Sequence, residues 1–198
     1  MQKQIVYIHG GDSFESHESY LKYLKETEFS VDWFVKKKKW KETLAEELRD
    51  EFQVFMPDMP CKQNANYEEW KIWFEKMIPF INDGVILIGH SQGGIFLAKY
   101  LSENNYPKRI GAVMLVAPVY NNTPEVGNFM VEKSLKSVSD QCSEIHLFFS
   151  KDDFVVPFSE MEEYKKELPN AKFHIFEDRG HFLQETFPEI IEEIKKIG

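Results

Sequence analysis

Two cysteines in 198 residues cannot build a disulfide framework, and Cys61 and Cys142 stand in neither a redox nor a metal-cage spacing. Both are expected to be inert thiols. Long apolar runs are missing too: the longest, residues 112–119, falls well short of the roughly 18 needed to span a bilayer. A soluble chain with no membrane partner is expected. Met1-Gln2-Lys3-Gln4 leads straight into Ile5-Val6-Tyr7-Ile8, too short for the core of a secretory signal, so a cytoplasmic location is expected. Positive charge is in deficit, with 24 Lys and Arg against 33 Asp and Glu, for a net charge of -9. Binding to a phosphate backbone is driven by basic side chains displacing counterions, so nucleic acid is excluded as a partner. Lys36 to Lys39 abut Glu42, Glu46, Glu47, Asp50 and Glu51, the pattern of a solvated helix start. The six histidines are scattered and match no metal cage, and the pairs Glu162-Glu163 and Glu192-Glu193 sit on charged helix faces. The expected chemistry therefore uses no metal and no cofactor.

Neither an internal repeat nor a low-complexity linker divides the chain, and residues 1–198 are expected to form one domain, long enough to bury roughly 70% of the unfolded surface. Six strand-length apolar runs, at 5–9, 53–56, 85–88, 112–116, 146–150 and 172–176, alternate with longer segments of helical period. This alternation predicts an α/β fold with a mostly parallel sheet and helices on both faces. The runs 85–88 and 112–116 are apolar at every position, as central strands covered on both sides must be. Trp40, Leu44, Leu48 and Phe52 form one helical stripe, and Trp70, Trp73, Phe74, Met77, Ile78 and Ile81 a wider one; both are expected to face the sheet. Ile190, Ile191, Ile194 and Ile197 define a surface helix. Residues 12–39 and 120–140 are excursions after strand ends, where they could form a small lid.

The apolar run at 85–88 breaks on Gly89-His90-Ser91-Gln92-Gly93, followed by a helical pattern through Leu101. A G-x-S-x-G pentapeptide arises by chance in roughly one chain in fifteen of this length, given glycine near 7%. Its placement between a buried strand and a helix is the stronger signal, because that is the setting of a nucleophile elbow. Ser91 is then the expected nucleophile. On such a sheet the acid and base follow the serine in that order. His146 and His174 lie inside strand patterns, whereas His181 follows the turn Asp178-Arg179-Gly180 after the last strand, so His181 is the expected base. The acid is sought in Ser150-Lys151-Asp152-Asp153-Phe154-Val155-Val156-Pro157. Asp153, directly before an apolar triplet, is favoured over Asp152. A tetrahedral intermediate needs two backbone donors for its oxyanion. Gln92, after the serine, supplies one; the glycine pair Gly10-Gly11 points to Gly11 for the other, with Asp12 close behind.

These motifs, together with Gly180-His181-Phe182 and Met56-Pro57-Asp58-Met59-Pro60, give a chain that resembles the α/β-hydrolase superfamily over nearly its whole length. More narrowly it resembles the small YdeN-like and retinoblastoma-binding-protein-nine-like serine hydrolases. The resemblance implies a three-layer sandwich around a six-stranded sheet, with Ser91, Asp153 and His181 as nucleophile, acid and base. It implies serine hydrolase chemistry more than a particular substrate; the expected reading is a cofactor-independent hydrolase of a small ester, and a thioester or amide would use the same machinery. The chain departs from the family at the first loop, where Gly10-Gly11 is followed by the 12–39 excursion. The competing expectation is a non-catalytic protein-binding module on the same scaffold.

Overall fold

The computed structural model describes residues 2–28, 30–35, 37–120 and 124–197. Six strands build one sheet: β1 (Lys3–Ile8), β2 (Phe52–Phe55), β3 (Val85–His90), β4 (Ile110–Val116), β5 (Cys142–Ser150) and β6 (Lys172–Phe176). Their order is β2-β1-β3-β4-β5-β6, and every neighbouring pair is parallel. The apolar strands β3 and β4 are central, as their composition predicts. Because β2 and β3 flank β1 on opposite sides, the strand order reverses there. That reversal leaves a crevice at the carboxyl ends of β1 and β3, the place where open parallel sheets bind ligands.

The described residues include seven α-helices: α1 (His17–Glu26), α2 (Trp40–Glu47), α3 (Tyr67–Met77), α4 (Gln92–Glu103), α5 (Lys136–Gln141), α6 (Glu160–Glu167) and α7 (Pro188–Ile197). Alternate strand residues point to opposite faces, so two apolar layers form. On one side Val6, Ile8, Leu87, Val113, Leu115 and Leu147 pack with side chains of α3, α4 and α6. On the other, Ile5, Tyr7, Ile86, Ile88, Met114 and Phe148 pack under Trp40, Leu44, Ile190 and Ile194. The result is a three-layer α/β sandwich.

Several local features differ from the sequence reading. Strand β5 begins at Cys142 rather than 146, the added residues Cys142, Ser143 and Glu144 being half-buried or exposed. Trp73 is 46% exposed, so the α3 stripe is narrower than its apolar residues suggest. Asn66 starts that helix: its Oδ1 accepts from the amides of Glu68 and Glu69. In the first excursion α1 opens on a Ser16–Ser19 capping box yet buries no residue. In the second, Val126, Phe129, Val131, Leu135 and Val138 join the core. Residues Asn121 to Thr123 of that excursion, and Lys36 of the basic run, lie outside the described residues. Among the described residues no helix is long and apolar enough to cross a membrane.

Candidate active site

Ser91 occupies the sharp corner between β3 and α4, with φ 54° and ψ -119°. A non-glycine residue in that region costs on the order of 1–3 kcal/mol, and the surroundings must impose it. They do so by close approach of backbone. A Cβ on Gly89 would stand 2.3 Å from Gly93 O, and one on Gly93 would stand 2.3 Å from Ile8 O. Neither position admits a side chain, which is why glycines flank the serine at both second neighbours. The Ser91 amide donates to Val116 O, 2.8 Å away, tying the corner to β4.

The loop after β5 presents two adjacent carboxylates in opposite directions. Asp152 Oδ1 accepts from Ser150 Oγ (2.5 Å) and from the Gly180 amide (2.8 Å). These donors hold its carboxyl below the usual range. Asp153 Oδ1 accepts from the amides of Val155 and Val156, and its Oδ2 lies 2.9 Å from His181 Nδ1. Its side chain is only 3% exposed and that of His181 8%. A carboxylate can only accept, so His181 Nδ1 carries the proton and Nε2 is left free. The structure thus brings Asp153, not Asp152, to His181.

Ser91 and His181 line one cavity of about 810 Å³, together with Gly10, Gly11, Asp12 and Gln92. Among the described residues Ser91 Oγ makes no hydrogen bond to His181; such contacts are often long without substrate. Gly10 packs behind the serine: a Cβ on it would meet Ser91 Cβ at 3.2 Å. The amides of Gly11 and Gln92 have no hydrogen-bond partner among the described residues. The Asp12 amide, the alternative donor, is committed to Lys62 O at 2.8 Å. Gly11 is itself obligatory, because a Cβ there would stand 2.6 Å from Lys62 O. His9 anchors the loop start: its Nδ1–H donates to Gly10 O, and its Nε2 accepts from the Met59 amide.

Two participants were not legible in the sequence. His90, between the elbow glycine and Ser91, donates from Nε2 to the His181 carbonyl at 2.9 Å. Burial, followed by the His181 charge, pushes its imidazole down to about 3, so it stays neutral. Trp40 Nε1 donates to Phe182 O at 2.9 Å, and the Trp40 amide to Gln184 O. The start of α2 is thereby clamped to the His181 loop, and Lys39 and Lys41 line the cavity rather than standing in free solvent. The motif's variable second position was the available signal for His90; Trp40 gave none beyond its apolar stripe.

A family model described as serine hydrolase matches residues 35–195. The chain belongs to the serine hydrolase family. The serine hydrolase RBBP9 of Rattus norvegicus is 28% identical over 151 residues, covering 74% of this chain and 78% of the relative. The putative hydrolase YdeN of Bacillus subtilis is 23% identical over 146 residues, covering 70% and 74%. In three dimensions the chain is similar to the crystal structure of the B. subtilis ydeN gene product, with a TM-score of 0.78, 18% identity and coverage of 99% and 98%. The esterase domain of a Rhodothermus marinus protein gives a TM-score of 0.65 at 15% identity, covering 99% and 88%. The likeness at these identities establishes an α/β-hydrolase-type fold.

This serine hydrolase also gathers histidines that look scattered in the sequence. His146 Nδ1 and His174 Nε2 are 3.1 Å apart, and with Glu193 they place ligand-capable atoms within 4.8 Å of one another. Residues far apart in the sequence meet here because β5, β6 and α7 converge at that point. None of the three lines the Ser91 cavity. His146 Nε2–H donates to Glu144, leaving Nδ1 to accept from His174, so the pair is explained as a hydrogen-bonded chain.

Proposed function

We propose that this protein hydrolyses a small carboxylic ester through a Ser91, His181 and Asp153 triad and an acyl-enzyme intermediate. The observation that carries the reading is the His181 Nδ1–H to Asp153 hydrogen bond at the wall of the cavity that also holds the strained Ser91. In the first half-reaction Ser91 Oγ attacks the substrate carbonyl carbon while His181 Nε2 takes the hydroxyl proton. The carbonyl π pair moves onto oxygen, where the Gln92 and Gly11 amides receive it. Asp153 fixes the tautomer and balances the imidazolium charge. When the intermediate collapses, the alkoxide leaves with the proton from Nε2. Water then repeats the sequence on the acyl-enzyme and frees the acid and the serine.

Thioesters and amides fit the same steps, and the apolar groups Phe154, Val155, Phe182 and Leu183 on the cavity wall offer contact to the apolar part of a substrate. Asp12 and Lys39 from one excursion and Val126 from the other also line the cavity, which supports a lid built from 12–39 and 120–140. The reading includes a single domain, cytoplasmic residence and a small-molecule partner. The test is a panel of 4-nitrophenyl esters of graded acyl length followed in the first turnover. A nitrophenolate burst stoichiometric with enzyme, absent in Ser91→Ala, is expected. Turnover that survives in Ser91→Ala would overturn the reading.

A further inference from the structure

The charged residues that line the Ser91 cavity, its histidines aside, are Lys39, Lys41, Lys62 and Asp12, a mostly basic set although the chain as a whole is acidic. Lys39, Lys41 and Lys62 line the Ser91 cavity; Asp12 is the one carboxylate on the lining among the described residues. Among the described residues none of the three lysines forms an ion pair, while five other lysines do: Lys99, Lys151, Lys166, Lys172 and Lys196.

We propose that Lys39, Lys41 and Lys62 form an anion-binding subsite of the Ser91 cavity, selecting substrates that carry a carboxylate or phosphate group beside the scissile bond. This inference rests on the serine hydrolase reading and names the substrate class of that site. The three cations approach from two sides. Lys39 and Lys41 flank Trp40, which the Phe182 and Gln184 carbonyls hold against the His181 loop. Lys62 stands next to Gly11, its own carbonyl accepting from the Asp12 amide. Lys39 is also the N-cap of α2 and makes no side-chain cap, so the positive end of that helix opens beside the same lysines.

The cost of this arrangement appears at Lys41. Partial burial pushes its ammonium below the ordinary range, the Lys39 and Lys62 charges push it further, and Glu42 and Asp58 offset them only in part. Like charges brought together without a partner destabilise the free protein; an anion between them relieves the repulsion and is bound more tightly for it. Asp12 opposes an anion on its own side of the cavity and faces His181, whose charge it feels. Asp153 is already engaged by His181. The lysines therefore attract a charged part of the substrate rather than the reacting carbonyl.

The test compares substrates that differ only in charge. On the acyl side, mono-4-nitrophenyl glutarate is set against 4-nitrophenyl valerate; on the leaving-group side, 3-acetoxybenzoate against 3-acetoxybenzamide. In at least one pair the wild type is expected to favour the anion by tenfold or more in kcat/KM, mainly through KM, with the ratio falling toward one in 0.5 M salt. Lys41→Gln with Lys62→Gln should abolish that ratio, and Lys62→Glu, at an exposed position, should invert it. A ratio near or below one in both pairs, or one that the lysine variants leave unchanged, overturns the subsite. If no ester is turned over, the hydrolase reading fails by itself. Calorimetric titration with glutarate then decides the subsite separately: binding weakened tenfold in Lys62→Glu upholds it, and absence of binding to the wild type overturns it.

Discussion

Asp153 and His181 meet through a 2.9 Å contact between Oδ2 and Nδ1, while the neighbouring Asp152 turns away to bind Ser150 Oγ and the Gly180 amide. Two adjacent carboxylates thus have separable jobs: one orients an imidazole, and the other holds together the loops that carry both residues.

Asp153→Asn is therefore expected to lower turnover by about four orders of magnitude, because the amide stabilises the wrong imidazole tautomer and cannot balance its cation. Asp152→Asn should instead lower the melting temperature and leave turnover within about tenfold. Steady-state kinetics and thermal unfolding of both variants check the division. The reverse pattern would assign the acid to Asp152.

Gly93→Ala should fail through packing rather than chemistry. The added methyl would lie 2.3 Å from Ile8 O and 2.7 Å from His9 O, both backbone atoms of β1 and its exit. Overpacking costs about 1–3 kcal/mol and more where the neighbour is backbone that cannot give, so the variant should unfold at markedly lower denaturant. A variant as stable as the wild type would mean that the elbow is looser than described.

Acid should weaken the fold in part through His90. Its folded value is pushed down to about 3, against an unfolded value near 6.5. Between those limits the unfolded chain binds a proton that the folded chain refuses, so stability is full above about pH 6.5 and falls as pH drops, by up to about 1.4 kcal/mol per pH unit from this residue. His9, His146 and His174 are shifted in the same direction, burial being the largest cause in each, and add to the slope. Denaturant titrations at pH 7 and pH 5 should show a smaller loss in His90→Gln than in the wild type. Equal losses would contradict the assignment.

The sheet and the triad candidates were legible because they depend on local signals. Continuous apolar runs identify β3 and β4, glycines at fixed offsets identify the elbow, and turn residues after β6 separate His181 from the strand histidines. The apolar triplet after Asp153 favoured it over Asp152 in the sequence, but the direction of each carboxylate depends on which amides the folded loop presents. Lys39 read as solvated because a basic run beside an acidic helix says nothing about where that helix starts in space. The Trp40 bond to Phe182, across 142 positions of chain, decides it. The meeting of His146 with His174 likewise depends on the β5–β6 register, which composition does not encode.

The central claim is that the Ser91 hydroxyl is an activated nucleophile. A fluorophosphonate probe, followed by digestion and mass spectrometry, tests it most directly. The account predicts a single covalent adduct on the peptide containing Ser91, lost in Ser91→Ala and strongly slowed in His181→Ala. A folded wild type that takes no label, or one that takes it on another serine, would contradict it.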